Sequence, residues 1–238
     1  MITKVNYQRS LRMRAATANG RNFQKKRTWM FGCLILINGI IREPSAWKEV
    51  GDWIRGVEKG IIESGCNIPS NLLKMLVSAE DHRFYDHDGV DPKALVRACY
   101  RTLTGNREGG STIAQQLARV AGGRFEKTLS RKLWEIRIAI LITKEFSEDT
   151  ILRVYLTGAY YGWRMNGLRQ ACVRLGVNME NLKDCDAAGI VSRLKYPEPG
   201  IMPERRRVQI NIRSRHIIML YQRHWGEGGS LIDKLNQK

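Results

Sequence analysis

Beyond Arg42, apolar residues in this chain recur at intervals of three and four and almost nowhere alternate, a pattern that buries helix faces and leaves a sheet little to bury. Leu72, Leu73, Leu76 and Val77 form one such face from Ser70 onward. Asp91-Pro92 reads as an N-cap followed by proline in the first turn of a helix to about Leu103. Positions 105–110 form a loop, and Ser111 or Thr112 caps a helix whose stripe of Ile113, Leu117 and Val120 ends at Gly122-Gly123. A longer helix starts at Thr128 or Ser130 and runs to about Lys144, and Ser147 caps the next, to about Leu156. A loop rich in glycine and aromatics at 158–167 precedes a helix stopped by Gly176. A helix at 181–194, an extended stretch through Pro197, Pro199 and Pro203, and a basic helix from Arg205 to about Trp225 complete the pattern. The expectation is a mainly α domain over 42–225 and a tail at 226–238.

The 238 residues carry 40 Lys and Arg against 23 Asp and Glu, a net charge of +17, and 43% hydrophobic residues exclude a disordered chain. Eight of the bases and none of the acids lie in the first 30 positions, which leaves +9 for the rest. Such a surplus suits a polyanionic partner without choosing among nucleic acid, an anionic membrane and a phosphorylated substrate. The basic tail, 1–27, meets an uncharged and mostly apolar run, Thr28 to Ile41, closed by Arg42. As a helix these 14 residues measure about 21 Å, short of the roughly 30 Å hydrocarbon core, and Lys25, Lys26, Arg27 and Arg42 can snorkel to close the gap. The run reads first as a membrane anchor, second as a buried helix, and last, with no A-x-A-like site after it, as a signal peptide. As an anchor it leaves the tail in the cytoplasm and everything after Arg42 on the outer face. Five scattered cysteines (Cys33, Cys66, Cys99, Cys172 and Cys185) form no CxxC pair, which excludes zinc-ribbon and thioredoxin-like sites and suggests small buried residues.

Two carboxylates stand out. Continuing the Ser70 face by three or four residues reaches Glu80, an acid on the apolar side of its helix just before the pattern breaks at Asp81-His82-Arg83. Such company suits a general base, and an acid near a helix end with Arg83 within reach is the equally ready account. Glu135 lies in Arg131-Lys132-Leu133-Trp134-Glu135, where an i,i+4 pair with Arg131 on a solvated face is the simpler account. Only tertiary folding can join the two acids. Gly109-Gly110-Ser111-Thr112 ahead of a helix can present N–H groups and hydroxyls to an anion, or serve as a plain cap. His82 and His87 have metal-pair spacing without a supporting frame, and Ser192-x-x-Lys195 matches a nucleophile motif whose partner elements are missing.

Taken in order, these pieces carry more. Glu80-Asp81-x-x-Phe84-x-x-His87-x-Gly89, Gly110-Ser111-Thr112-x-x-Gln115-Gln116, Arg131-Lys132-x-x-Glu135 and Ile151-Leu152-x-x-Tyr155-Leu156 succeed one another. Tyr161-Gly162, Gly167 to Ala171 and Asp186-Ala187-Ala188 follow, with prolines after them. From about Ile62 to Arg207 the chain resembles the family 51 peptidoglycan glycosyltransferases, the polymerase domains of bifunctional penicillin-binding proteins and their monofunctional relatives. Within the pattern Arg119 stands where Lys is usual, Glu148 where Lys is, Arg153 where Glu is, and Thr157 where Asn is.

The resemblance implies a lysozyme-like, mainly α fold with a small membrane-associated lobe beside the cleft, anchored by 28–41 in the bacterial inner membrane with the catalytic domain outside the cytoplasm. It implies polymerisation of lipid II into β-1,4-linked glycan, with inversion and release of polyprenyl pyrophosphate. Glu80 would be the general base. Glu135 would assist at the donor pyrophosphate, directly or by holding a divalent cation, Mg or Mn, and Arg119, Arg131 and Lys132 would neutralise that pyrophosphate. Asp81, Arg83, Ser111, Thr112 and Gln116 would bind substrate, and His87 would orient the first motif. Lipid II, the nascent glycan strand, the membrane and other cell-wall synthesis proteins are the implied partners, and neither an organic cofactor nor nucleic acid is expected. Two alternatives use the same residues differently: glycan cleavage by the paired carboxylates, and a non-catalytic relative that binds lipid II. A DNA-binding variant rests on Arg205, Arg206, Arg207, Arg213 and Arg215 of the last helix.

Overall fold

A computed structural model describes residues 44–105 and 109–226. The basic tail, the apolar run at 28–41 and positions 227–238 lie outside the described residues. The helices are α1 (Pro44–Glu63), α2 (Ser70–Glu80), α3 (Pro92–Leu103), α4 (Ile113–Ala121), α5 (Leu129–Glu145), α6 (Glu148–Gly158), α7 (Leu168–Leu175), α8 (Asp184–Lys195) and α9 (Glu204–Trp225), with a 3-10 turn at Phe84–Asp86. A hairpin of β1 (Tyr160–Gly162) and β2 (Met165–Asn166) lies between α6 and α7. The mainly α expectation holds. Among the described residues no helix is long and apolar enough to cross a membrane.

Two helical groups meet through α2 and α6. On one side α2 packs against α8 and α9, and on the other α4 packs against α5 and α6 while α1 lies on α6. Leu72, Met75, Leu76 and Val77 of α2 are buried, as are Ile210 and Ile217 of α9, seven residues apart on one face of a helix otherwise rich in charge. Each such side chain, once buried, contributes about 1.5–3 kcal/mol. The expected caps form: Thr128 and Ser147 accept from the N–H groups of Arg131 and Thr150 at 3.2 and 3.1 Å. Gly176 ends α7 at φ 64.

The stretch 44–63, within the region expected to be mostly helical, is a 20-residue helix with Val50 and Ile54 buried. Three features differ from expectation. α8 begins at Asp184, where Asp184 and Asp186 sit at the positive end of the helix dipole, rather than at Asn181. The glycine and aromatic loop holds the hairpin, whose strands of three and two residues are too short to display alternation. Cys172 is buried as expected, but Cys66 and Cys185 are exposed.

Candidate active site

Glu80 ends α2, and both of its oxygens are engaged. Oε1 accepts from Nη2 of Arg213 on α9 at 2.6 Å, and Oε2 accepts from the amide nitrogen of Gln116 on α4 at 3.1 Å. The side chains of Glu80 and Arg213 are each 14% exposed, so this is a sheltered pair that retains an opening to solvent. Gln116 is oriented in turn by the Tyr155 hydroxyl, which donates to its Oε1 at 2.6 Å. Burial is the main reason that the Tyr155 phenol is pushed well up from its ordinary range, with Glu80 adding to the effect. The phenol therefore stays a donor, and the Gln116 amide must turn its N–H2 toward Glu80.

Glu135 is inverted relative to its expected solvated setting: its side chain has no exposure at all. Arg119 donates to Oε1 from Nε at 2.7 Å and to Oε2 from Nη2 at 3.4 Å, Arg131 Nη1 donates to Oε1, and Lys132 Nζ approaches Oε2 at 3.4 Å. The cations are the partly exposed members, with Arg119 at 30% and Lys132 at 26%. Glu135 is thus a hidden anchor beneath a triad of positive charge. Lys132 also donates to Ser111 Oγ at 2.8 Å and Gln115 Oε1 at 3.0 Å. Burial draws the Lys132 ammonium below the usual lysine range, opposed by Glu135 and reinforced by Arg119 and Arg131.

One short helix joins the two clusters. Gln116 and Arg119 lie one turn apart on α4, so the same element delivers a donor to Glu80 and a donor to Glu135. Its start is heavily secured. Thr112 and Gln115 form a capping box, the Thr112 hydroxyl donates to Gly89 O at 2.6 Å, and the Ile113 N–H donates to Asp81 Oδ2 at 3.1 Å. Both Asp81 oxygens lie 3.1 Å from His87 Nε2. Gly89 itself has φ 86, and a Cβ there would fall 2.4 Å from the Ala139 carbonyl oxygen of α5, so only glycine allows this approach.

The expected site residues therefore divide. Glu80 with Gln116, and Glu135 with Arg119, Arg131, Lys132 and Ser111, form two hydrogen-bonded clusters that α4 joins. Asp81 and Thr112 are buried and engaged in fixing α4, while Arg83 is paired with buried Asp91 at 3.0 Å. His82 stacks on His224, at 6.0 Å between centroids, while His87 serves Asp81, so the histidine pair divides between two partners. Ser192 is buried against Ala188 O and Ser214 Oγ. Sequence reasoning missed Arg213 as a site residue. Its only local signal was basic charge on α9, shared with neighbours such as Arg207, which pairs with Glu204.

Chemically, the arrangement offers one carboxylate near a solvent-accessible edge and a cluster of three cations. Glycan cleavage by paired acids needs the second carboxyl to deliver a proton to the leaving oxygen. Glu135 is enclosed and spends both oxygens on cations, so it presents none for that role. The same enclosure does not fit a resident divalent ion, because three positive groups already occupy its ligand oxygens. Among the described residues no group of three or more His, Cys, Asp and Glu gathers to hold a metal.

A transglycosylase family model matches residues 48–222. Over 106 residues the chain is 41% identical to penicillin-binding protein 1F of Bacillus subtilis (strain 168), covering 44% of this chain and 15% of that protein. It is 38% identical over 133 residues to penicillin-binding protein 1A of Escherichia coli (strain K12), covering 55% and 16% respectively. Against penicillin-binding protein 1A of Aquifex aeolicus (strain VF5) it is 35% identical over 156 residues, covering 63% and 22%. The chain therefore spans less than a quarter of the length of these relatives. With the match running from within α1 into the last turn of α9 and enclosing both carboxylate clusters, the chain belongs to the transglycosylase family, the glycosyltransferase family 51 that its ordered motifs resemble.

Proposed function

We propose that this chain is a peptidoglycan glycosyltransferase that polymerises lipid II, with Glu80 as general base. The observation that carries the reading is the division of labour in the network: a carboxylate held at an accessible edge by Arg213 and Gln116, and a separate cation triad held from beneath by Glu135. In the proposed step, the acceptor 4-hydroxyl oxygen bonds to the donor C1 while the bond from C1 to the diphosphate oxygen breaks. The electron pair leaves with the diphosphate, and the hydroxyl proton passes to Glu80. Arg119, Arg131 and Lys132 stabilise the charge that develops on the departing diphosphate, which is where fixed cations in a sheltered site act most strongly. Glu135 orients those three cations rather than touching substrate.

The membrane setting belongs to the same proposal. Exposed Val96 and Tyr100 of α3, and exposed Phe125 and Leu129 ahead of and at the start of α5, would contact the lipid of the substrate or its membrane, and 28–41 would serve as the anchor ahead of a lysozyme-like catalytic domain. Incubation of the full chain with lipid II tests the reading. Glycan polymer is the expected product, and Glu80→Gln should lower its rate at least a hundredfold without loss of fold. Polymer formation at the parent rate by that variant would remove Glu80 from the role, and degradation of finished glycan instead of lipid II consumption would replace the reaction itself.

A further inference from the structure

The turn between β1 and β2 gathers a second set of cations that shares no residue with the Glu80 and Glu135 network. Arg164, at φ 57, is the only non-glycine residue at positive φ among the described residues. Side-chain-bearing residues avoid that conformation, and the two-residue turn of the hairpin holds Arg164 in it. The Arg164 guanidinium lies 4.3 Å from the centroid of the Trp163 ring, and that of Arg174 from α7 lies 4.9 Å from the same ring. One indole thus holds two planar forks in place.

Arg164, Arg169 and Arg174, with Gln170 and Val173, line a concavity of about 430 Å³. The Gln170 carbonyl oxygen is taken by the Asn166 N–H at 3.1 Å, which leaves its N–H2 to face a ligand. Glu198 approaches Arg174 at 3.7 Å through Oε1, while its Oε2 is held by Arg193 at 2.6 and 2.7 Å, so one carboxylate is shared between two guanidiniums. The polar groups of the lining are thus donors, three guanidiniums and an amide N–H2, with no carboxylate among them. We propose that this concavity binds a phosphate-type oxyanion, which accepts paired N–H bonds from Arg forks. The group would belong either to a soluble phosphate ester or to a phospholipid headgroup.

The test uses the full chain in neutral detergent, titrated calorimetrically with inorganic triphosphate. Arg164→Gly combined with Arg169→Ala removes two forks, and because glycine is at ease at φ 57 the melting temperature should hold or rise. Affinity should fall at least tenfold. The same pair of substitutions is made in a Lys132→Ala chain, so that triphosphate bound near Lys132 is told apart, and the two losses should add. Unchanged affinity in both backgrounds, or a loss that vanishes once Lys132 is gone, would overturn the proposal. Co-sedimentation with phosphatidylcholine vesicles, with and without phosphatidylglycerol, assigns the source. Weaker binding of the variant to the anionic vesicles alone supports a lipid headgroup, and lost triphosphate affinity with vesicle binding intact supports a soluble ester.

Discussion

Arg213 and Glu80 are 133 positions apart in sequence and meet at 2.6 Å, so the docking of α9 on α2 places the counter-ion of the proposed base. Removing one member of a sheltered ion pair strands the other, typically at a cost of about 3–5 kcal/mol, whereas removing both costs less. Arg213→Ala should therefore lower the melting temperature more than the double variant Arg213→Ala/Glu80→Gln does. A double-mutant cycle by denaturant unfolding should give a coupling of about 1–3 kcal/mol. Additive losses would mean that the two side chains do not stabilise one another.

Lys132 carries a pH signature. Burial holds its ammonium below the ordinary lysine value of 10.5, so it loses its charge at a lower pH than an exposed lysine. A ligand bound through that charge is held on the acid side and released as pH rises through the lowered value. Affinity of the full chain for inorganic diphosphate, followed from pH 7 upward, should therefore decline before exposed lysines titrate. Lys132→Arg, whose charge persists, should carry binding to higher pH. An identical alkaline profile for both proteins would show that Lys132 does not contribute.

Thr112 should be costly to replace. Its side chain accepts from Gln115 and donates to Gly89 O, so Thr112→Ala loses a cap and leaves a buried carbonyl unpaired. A destabilisation of about 1–2 kcal/mol by thermal or urea unfolding is expected, with Thr112→Ser recovering most of it.

How much of this was legible beforehand depended on where the information lies. α2, α4, α5, α6 and α9 carry apolar periodicity, caps or both in their own residues, and their positions followed from them. The hairpin at 160–166 had no room for a periodic signal, and Cys66 and Cys185 are exposed for reasons of packing that spacing does not record. Glu80 was visible because the apolar face carrying it is local. Glu135 was visible as a member of a motif but not as a buried residue, since Arg131 and Lys132 beside it suggest water, and its enclosure depends on Arg119 arriving from α4. Arg213 was marked only as one basic residue among several on its helix, because its partner lies in another part of the chain.

Tyr155 offers a separate test of orientation. Tyr155→Phe removes the 2.6 Å bond that sets the Gln116 amide, while keeping the ring in the core. A loss of about 1 kcal/mol in stability is expected. The rate of lipid II polymerisation should fall several-fold with little change in KM, because the amide that donates to Glu80 is no longer fixed from its oxygen side. A rate equal to that of the parent would indicate that Gln116 is held by other means.

The nine residues of α4 also set how the molecule can be altered. Gln116 and Arg119 are separated by a rise of about 4.5 Å along one rod that cannot stretch. Neither cluster can be retuned by moving this helix without disturbing the other, so adaptation at one end must come from side-chain replacement or from the flanking helices. The converse is a point of vulnerability: a molecule that wedges beneath the cap and tilts the rod would misalign both clusters together, without resembling a sugar or a diphosphate.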